Sequence, residues 1–434
     1  MNAREVAVRL LLDWEENGKY ANLSLQSPLY SALSEKDRSL VTTLFYTAVE
    51  RKITLDYYIG VLTGGSAEAL TAHTRALLRI GLVQLLYLDR MPPHAAVSQT
   101  VQISAHVGER RLVNAVLRRA ARERDALPLP PKEKNLARHL SVAYSFPLPL
   151  VRFFLAEYAE QTEALLCAFN RTAPLTLCVN TLRIGREALL DEFQRAGIRA
   201  EPTVHVTTGI RVLSDTPVSA LPGYREGWFF VQDEASQIQG ALLAPQRGER
   251  VIDVCAAPGG KSLAAAIAMG DSGEVLSADL HESKCSLIRE SAARLGLRSI
   301  RVLARDATQR CDEWVDTADR VICDVPCSGL GVLGKKPDLR YKDLEATERL
   351  PALARSILKS SACYVKRGGV LIYSTCTLSQ KENREVVDAF LREHTDFFLE
   401  PFTVGDVVLS DGTRTLLPHV DGTDGFYLAR LRRA

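Results

Sequence analysis

The sequence contains no apolar run long enough to cross a membrane, since its most apolar stretch, 76–88, is interrupted by Arg79 and Gln84. Residues 1–14 include acidic side chains and no uninterrupted apolar core, so a signal peptide is not expected. Together these absences predict a cytoplasmic protein that does not have a membrane as a partner.

None of the nine cysteines is spaced as C-x-x-C, and Cys323 and Cys327, four residues apart, have no pair of histidines nearby. Such spacing does not favour a zinc site, and cytoplasmic thiols are expected to be reduced rather than paired in disulfides. We therefore expect no metal and a set of free thiols.

The net charge is also small, +2 over 434 residues, and a composition of 46% hydrophobic and 24% charged residues is typical of a folded protein with two or three domains. The basic residues are unevenly distributed, and one stretch contains Arg110, Arg111, Arg118, Arg119, Arg122, Arg124, Lys132, Lys134 and Arg138. A solvated helix face explains this cluster equally well, but clustered arginine is also typical of contact with phosphate.

The residue pattern changes twice along the chain. Helical spacing predominates over 1–126 and predicts an all-α helix bundle, and the proline-rich segment 127–139 predicts a linker. Mixed signals over 140–235 predict a small α+β module. Its predicted helices are 149–169 and 186–196, and its predicted strands are 175–180, 204–206, 210–213 and 228–232.

Strands and helices alternate regularly over 236–434, which predicts an α/β domain with a Rossmann-like, mostly parallel sheet. The predicted strands are 250–253, 274–279, 300–303, 321–324 and 369–374. The multidomain fold class is therefore a helix bundle, a small α+β module and an α/β domain.

Two cysteines lie just after predicted strands of this domain. Cys327 belongs to Asp324-Val325-Pro326-Cys327-Ser328-Gly329, and Cys376 belongs to Tyr373-Ser374-Thr375-Cys376-Thr377. Because the carboxyl ends of parallel strands share one edge of a sheet, both thiols should lie at the usual ligand-binding edge. A free cysteine is more commonly a small buried hydrophobe, but this placement favours at least one reactive thiol.

A glycine-containing segment, Cys255-Ala256-Ala257-Pro258-Gly259-Gly260-Lys261-Ser262, follows the first strand and opens the first helix of the domain. Adjacent glycines allow close approach of a ligand to the backbone, and a helix amino terminus favours a negative group. The segment is not a phosphate-binding P-loop, because the leading glycine of that motif would fall at Cys255, and it is not the G-x-G-x-x-G dinucleotide pattern.

Two aspartates end or follow the next strands. Asp279 lies where a carboxylate accepts hydrogen bonds from ribose hydroxyls, and Asp306 could accept from the amine of an adenine. Each alone is more commonly a capping or turn residue. Together with the glycine segment they predict an adenosine pocket without a triphosphate site, which fits S-adenosylmethionine.

The thiols indicate the methyl acceptor. Carbon 5 of cytosine is a poor nucleophile, so its methylation requires prior addition of a thiolate at carbon 6, a carboxyl group near N3 and N4, and a proton acceptor. Asp324, Cys327 and Cys376 can supply these groups. The residues alone do not decide which of the two thiols attacks.

Several segments resemble the signatures of RNA cytosine-5 methyltransferases of the Nop2/Sun group. They are 255–261, 324–331, Lys336-Pro337-Asp338, 374–376 and Glu382-Asn383. Residues 90–97 and 112–119 resemble a NusB-type RNA-binding helical domain, which is fused to the catalytic domain in the bacterial small-subunit rRNA methyltransferases of the RsmB/Sun family. Residues 180–183 and 227–234 resemble the segments that precede the catalytic domain in this group.

This resemblance implies that Cys376 is the nucleophile and that Cys327 assists product release. It implies S-adenosylmethionine as cofactor, with Asp324 between cofactor and base. The residues that it places at the cofactor are Cys255, Ala256, Ala257, Pro258, Gly259, Gly260, Lys261, Asp279, Asp306 and Asp324.

We therefore expect a monomer that methylates carbon 5 of a cytosine in small-subunit (16S) ribosomal RNA through a covalent cysteine adduct. One alternative is the same chemistry on tRNA or another RNA. A second alternative is a non-catalytic, RNA-binding ribosome assembly factor, but the intact set of Cys376, Cys327, Asp324 and Gly259-Gly260 disfavours it.

Overall fold

The computed structural model describes residues 2–18 and 21–434. The chain forms two compact units, of which the first comprises Met1–Arg171 and Leu333–Lys342 and the second comprises Thr172–Val332 and Asp343–Ala434. The four sequence-derived domain ranges, which begin at residues 1, 127, 140 and 236, stay a prediction.

The first unit is helical. Its helices are α1 (Ala3–Asn17), α2 (Ala21–Ser24), α3 (Pro28–Ser31), α4 (Glu35–Glu50), α5 (Lys52–Thr63), α6 (Ala72–Leu86), α7 (Pro93–Val101), α8 (Val107–Glu123), α9 (Leu136–Tyr144), α10 (Leu148–Tyr158) and α11 (Thr162–Phe169). Ser34 and Thr71 cap the amino termini of α4 and α6, because their hydroxyl oxygens accept hydrogen bonds from backbone N–H groups of the first turn. Leu11, Phe45 and Leu77 are fully buried in the shared core.

The single helix predicted over 149–169 is wrong. A short 3-10 turn, Ala159–Gln161, separates α10 from α11, and Ala159 has a positive φ of 44° that no α-helix can continue through. Across the described chain no single helix is long and apolar enough to span a membrane. Helix α9 and the segment Leu148–Phe169, which contains α10 and α11, reach that length and composition together, but the two are bent by 115°.

The segment Leu333–Lys342 belongs to the first unit although it follows a strand of the second. Arg340 is buried there, and its guanidinium donates to the backbone carbonyls of Glu50 and Phe169, each at 3.2 Å. It also lies 4.0 Å from the ring centre of Phe146. Burial lowers the pKa of Arg340 to about 10. These contacts fix the segment within the helical unit.

The small module begins the second unit and has one antiparallel sheet, with strand order β2-β3-β1-β4. Its elements are β1 (Leu175–Val179), α12 (Arg186–Arg195), β2 (Ala200–Pro202), β3 (Gly209–Val212) and β4 (Phe229–Val231). The strand predicted at 204–206 is wrong. These residues form the turn between β2 and β3, which the Thr203 hydroxyl closes by donating to the carbonyl of Val206 at 3.0 Å.

The rest of the second unit is a mostly parallel sheet with order β10-β14-β9-β8-β5-β6-β7, to which β13 adds by pairing with β14. Its strands are β5 (Arg250–Asp253), β6 (Glu274–Asp279), β7 (Ile300–Ala304), β8 (Ala318–Asp324), β9 (Val365–Thr375), β10 (Phe397–Leu399), β13 (Thr413–Leu416) and β14 (Phe426–Arg433), beside a separate pair, β11 (Phe402–Val404) and β12 (Val407–Leu409). Its helices are α13 (Glu234–Leu243), α14 (Gly260–Ala268), α15 (Glu282–Leu295), α16 (Leu350–Ala362), α17 (Arg384–Glu393) and α18 (Pro418–Asp421).

The five inner strands, β5 to β9, pair in parallel, whereas β14 joins β9 and β10 antiparallel. Apolar residues on both faces of these strands, such as Val251, Leu276 and Leu371, are buried beneath the helices. The predicted fold class, with a helix bundle, a small α+β module and a mostly parallel α/β domain, is confirmed.

Candidate active site

The order of strands creates a topological switch at β5. The chain runs from β5 outward through β6 and β7, and then returns to β8 on the other side of β5. In open α/β sheets, ligands bind in the crevice beyond the carboxyl ends of the strands at such a switch. Here the segments that follow β5, β8 and β9 contain the glycine segment, Cys327 and Cys376.

The two thiols lie together because β8 and β9 are parallel neighbours in register. Asp324 at the end of β8 is opposite Ser374 near the end of β9. The sulfur atoms of Cys327 and Cys376 are 3.3 Å apart, and both residues are partly exposed. The Cys376 carbonyl accepts from the Gly331 N–H at 2.9 Å, which ties one thiol segment to the other.

The two thiols influence each other's ionisation. The pKa of the Cys327 thiol is raised well above its ordinary value, first by the hydrogen bond with Cys376, then by burial and by the negative charge of Cys376. Glu382 and Asp324 add smaller contributions in the same direction. The thiolate form of Cys327 is therefore disfavoured while Cys376 is ionised, and either sulfur can be the donor in the 3.3 Å contact.

A largely buried ion pair lies in the same crevice. Lys261 Nζ is 2.6 Å from a carboxylate oxygen of Asp324, whose other oxygen accepts from the Ser374 hydroxyl at 2.8 Å. Burial lowers the pKa of Lys261, but the negative groups Asp324, Asp253 and Cys376 outweigh it, so the pKa is raised overall. Lys261 therefore stays a cation next to Cys376. The sequence indicated Lys261 as a cofactor residue and gave no sign of this pairing.

The glycine segment forms a tight turn into α14. The Gly259 N–H donates to the Ala256 carbonyl at 2.7 Å, and Gly259 has a φ of +110°, which favours glycine. No side chain caps α14, so the N–H groups of its first turn are available to a ligand. The Ala257 N–H donates to Asp279 Oδ2 at 3.1 Å, which joins the end of β6 to this turn.

Two of the predicted cofactor residues, Asp306 and Cys255, have local features of their own, and their contact with a cofactor stays a prediction. Asp306 is exposed and accepts from the backbone N–H and the hydroxyl of Thr308, at 2.9 and 2.7 Å, and these bonds lower its pKa. This geometry is the turn role that an aspartate after a strand commonly has. The pKa of Cys255 is raised well above its ordinary value, chiefly by burial, so its side chain is a neutral thiol.

Asp253 is a site residue that the sequence analysis missed. It ends β5, is fully buried, and accepts from the Ser262 hydroxyl at 2.7 Å, which in turn accepts from Ser277 at 2.7 Å. Burial raises the pKa of Asp253 to about 7, with Asp324 adding to it, although the Ser262 hydrogen bond and Lys261 oppose the change. Its position at the carboxyl end of the central strand was the available signal.

Glu382 was noted only as part of a motif, and the structure gives it contacts. Its buried carboxylate accepts from the Ser328 N–H at 2.8 Å and from the Ser328 hydroxyl at 2.5 Å. The Ser328 and Thr377 hydroxyl oxygens are 2.6 Å apart. Since Ser328 follows Cys327 and Thr377 follows Cys376, these contacts connect the two thiol segments.

The domain that contains the parallel sheet and the two thiols belongs, by its match to a family model, to the methyltransferases. The family model described as 16S rRNA methyltransferase RsmB/F matches residues 240–432. The NusB family model matches residues 1–122, and an RsmF/B-like ferredoxin-like domain model matches residues 146–219.

Curated relatives match the chain over its full length. It is 36% identical to the probable ribosomal RNA small subunit methyltransferase B of Bacillus subtilis, covering 100% of this chain and 99% of the relative. It is 31% identical to the ribosomal RNA small subunit methyltransferase B of Escherichia coli O1:K1, covering 99% and 98%. The chain therefore belongs to the ribosomal RNA small subunit methyltransferase B family, as its motifs predicted.

Solved structures share the fold. The crystal structure of PH0851 has a TM-score of 0.80 and 25% sequence identity, and the match covers 100% of this chain and 99% of that one. NSun6 from Pyrococcus horikoshii, solved with SFG, has a TM-score of 0.61 and 22% identity over 67% of this chain and 99% of that one. The second likeness concerns the fold alone.

Proposed function

We propose that this protein methylates carbon 5 of a cytosine in small-subunit ribosomal RNA, with S-adenosylmethionine as methyl donor and through a covalent adduct between Cys376 and carbon 6. The observation that carries this proposal is the pair of sulfurs 3.3 Å apart at the switch point of the sheet. Methylation of an exocyclic amine needs no thiol, because the nitrogen lone pair attacks directly. Methylation of carbon 5 requires one.

Cys376 is the better nucleophile of the pair. The positive charge of Lys261 favours the thiolate form of Cys376, and a hydrogen bond donated by the Cys327 thiol would stabilise that thiolate further. Cys327 holds its proton, so it is less able to attack. We assign Cys327 to the release of the product, which follows removal of the carbon 5 proton by a base.

The ion pair suits the polar edge of a cytosine. The Asp324 carboxylate can accept hydrogen bonds from the N4 amino group and from a protonated N3. Addition of a thiolate at carbon 6 pushes negative charge into the ring, and the Lys261 ammonium, 2.6 Å from Asp324, is placed to stabilise that charge. Both side chains are largely buried, which strengthens these interactions relative to water.

The residues around the glycine turn fit S-adenosylmethionine. The uncapped amino terminus of α14 suits the carboxylate of its methionine part, and the Asp279 carboxylate beside the turn suits its ribose hydroxyls. The bound cofactor supplies an electrophilic methyl group on a sulfonium.

The helical unit is the proposed RNA contact. Helix α8 buries Val113 and Leu117 against the core, which leaves Arg110, Arg111 and Arg118 exposed on its outer face. Exposed guanidinium groups on one face suit a phosphate backbone. The target base must leave its stack to reach the thiols, so we expect a loop or a flipped nucleotide as substrate.

Two variants test the assignment with radiolabelled S-adenosylmethionine and a small-subunit rRNA transcript. Cys376→Ala should transfer no methyl group and form no adduct, because the nucleophile is gone. Cys327→Ala should accumulate a protein–RNA adduct that survives denaturing electrophoresis. The reverse pattern would exchange the two roles, and bisulfite mapping of RNA from cells with and without the gene distinguishes rRNA from tRNA as substrate.

A further inference from the structure

A chain of hydrogen bonds joins the residues that follow the two thiols. Ser328 donates through its backbone N–H and its hydroxyl to the two carboxylate oxygens of Glu382, at 2.8 and 2.5 Å. Because this uses the single hydroxyl proton of Ser328, the Thr377 hydroxyl is the donor in the 2.6 Å contact between the two hydroxyls. We call the side chains of Ser328, Thr377 and Glu382 the thiol clamp.

The thiol clamp is buried, and hydrogen bonds from neighbouring residues hold the backbone of Glu382 in place. Ser328, Thr377 and Glu382 are 1%, 0% and 4% exposed. The Glu382 carbonyl accepts from the Tyr373 hydroxyl at 2.5 Å, and the Glu382 N–H donates to the Ser379 carbonyl at 3.1 Å. Hydrogen bonds to a charged group that is shielded from water are strong and well defined in direction. The carboxylate is therefore a fixed point to which the residue after Cys327 is attached.

The two thiols depend on the clamp to different degrees. Strand β9 ends at Thr375, so Cys376 is the next residue and is positioned by the strand itself. Strand β8 ends at Asp324, so Cys327 lies three residues beyond it in a loop. Loss of the clamp should therefore displace Cys327 more than Cys376.

We propose that the thiol clamp positions Cys327 beside Cys376 and that release of the methylated base depends on it, an inference that rests on the proposed function. In release, the carbon 5 proton passes to water, while the Cys327 thiol keeps its own proton and donates a hydrogen bond to the Cys376 sulfur as that sulfur leaves. The electron pair of the C5–H bond forms the C5–C6 double bond. The C6–S bond breaks, and its electron pair returns to the Cys376 sulfur. A displaced Cys327 slows this step after methyl transfer is complete.

The test uses Thr377→Val and Ser328→Ala in the full-length protein, with rapid-quench measurement of labelled methyl transfer to RNA. The first turnover should keep at least about half of the wild-type amplitude, whereas steady-state turnover should fall about tenfold, as expected for loss of one buried hydrogen bond. A denaturant-resistant adduct should accumulate in the same samples. Thr203→Val, which removes a buried hydroxyl that donates to the Val206 carbonyl, is the matched control and should form no adduct.

Equal loss of first-turnover amplitude and steady-state rate without adduct would mean that the clamp is only structural, and it would overturn the proposal. Behaviour identical to that of Thr203→Val would do the same. Failure of the proposed function gives a different result: the wild-type protein would methylate no cytosine, or Cys327→Ala would trap no adduct, and the role of the clamp would fall with it.

Discussion

Asp253 provides a prediction whose size follows from its burial. The folded protein raises the pKa of this carboxyl from its ordinary 3.8 to about 7, first because the side chain is fully buried. Between these two values the folded state binds more protons at Asp253 than the unfolded state does. The contribution of Asp253 to the free energy of unfolding therefore falls as pH rises from about 4 to about 7 and is constant above. At 1.4 kcal/mol per pKa unit the whole change is on the order of 4 kcal/mol.

Asp253→Asn removes this titration and keeps a carbonyl oxygen that can accept from the Ser262 hydroxyl. The variant should therefore gain stability relative to wild type as pH rises through this range. Calorimetric unfolding of both ligand-free proteins from pH 4.5 to 8.5 measures the gain. With roughly 2–4 °C per kcal/mol for a domain of 150–250 residues, the difference between their Tm values should change by on the order of 10 °C.

Asp319 supplies a control of opposite sign. Its burial raises its pKa, but the Lys366 ammonium at 2.8 Å and the Arg250 N–H at 2.8 Å outweigh burial, so the pKa is lowered overall. Asp319 stabilises the folded state above its ordinary pKa, and that contribution is lost as pH falls. Asp319→Asn should thus lose stability at high pH. A Tm difference between wild type and Asp253→Asn that is the same at pH 4.5 and 8.5 would refute the reasoning.

Three further predictions concern the proposed function. Lys261→Met removes the cation, and the single-turnover rate should fall about 100-fold, roughly the effect of one lost electrostatic contact at a transition state; an unchanged rate would contradict its role. Hydrogen peroxide should oxidise Cys327 and Cys376 to a disulfide with formation of two waters, because the sulfurs are 3.3 Å apart; peptide mapping before and after dithiothreitol checks this, and two separate sulfenic acids would contradict it. Arg110→Gln with Arg111→Gln should reduce the slope of log RNA affinity against log salt by roughly 1.5, and an unchanged slope would exclude phosphate contact there.

Local patterns predicted the strands of the parallel sheet closely. The predicted strands 250–253 and 274–279 match β5 and β6 residue for residue, because a strand buried on both faces is a short apolar run bounded by polar or turn residues. The predictions that failed depend on backbone conformation and on hydrogen bonds that the apolar pattern does not specify. Residues 204–206 contain two valines but find no partner strand, since the Thr203 hydroxyl closes them into a turn.

Local sequence pattern did not predict the C-terminal part of the sheet. Strand β14 has no counterpart among the predicted strands, although it pairs with β9 over six residue pairs. Its sequence does not alternate cleanly between apolar and polar residues. Arg430 is buried among apolar neighbours, because its guanidinium donates to the Glu400 carboxylate. A buried ion pair interrupts the apolar pattern from which a strand is recognised.

The sequence by itself determined the class of fold, the order of the motifs and the residue types of the proposed site, because these depend on local spacing and on the chemistry of single side chains. Tertiary structure decided which groups meet. Cys327 and Cys376 are 49 positions apart and come within 3.3 Å only because β8 and β9 pair in parallel with Asp324 opposite Ser374. The pairing of distant strands also places the Lys261 cation near the thiols, and the loss of water on burial raises the pKa of Asp253. Neither effect can be predicted from local sequence pattern.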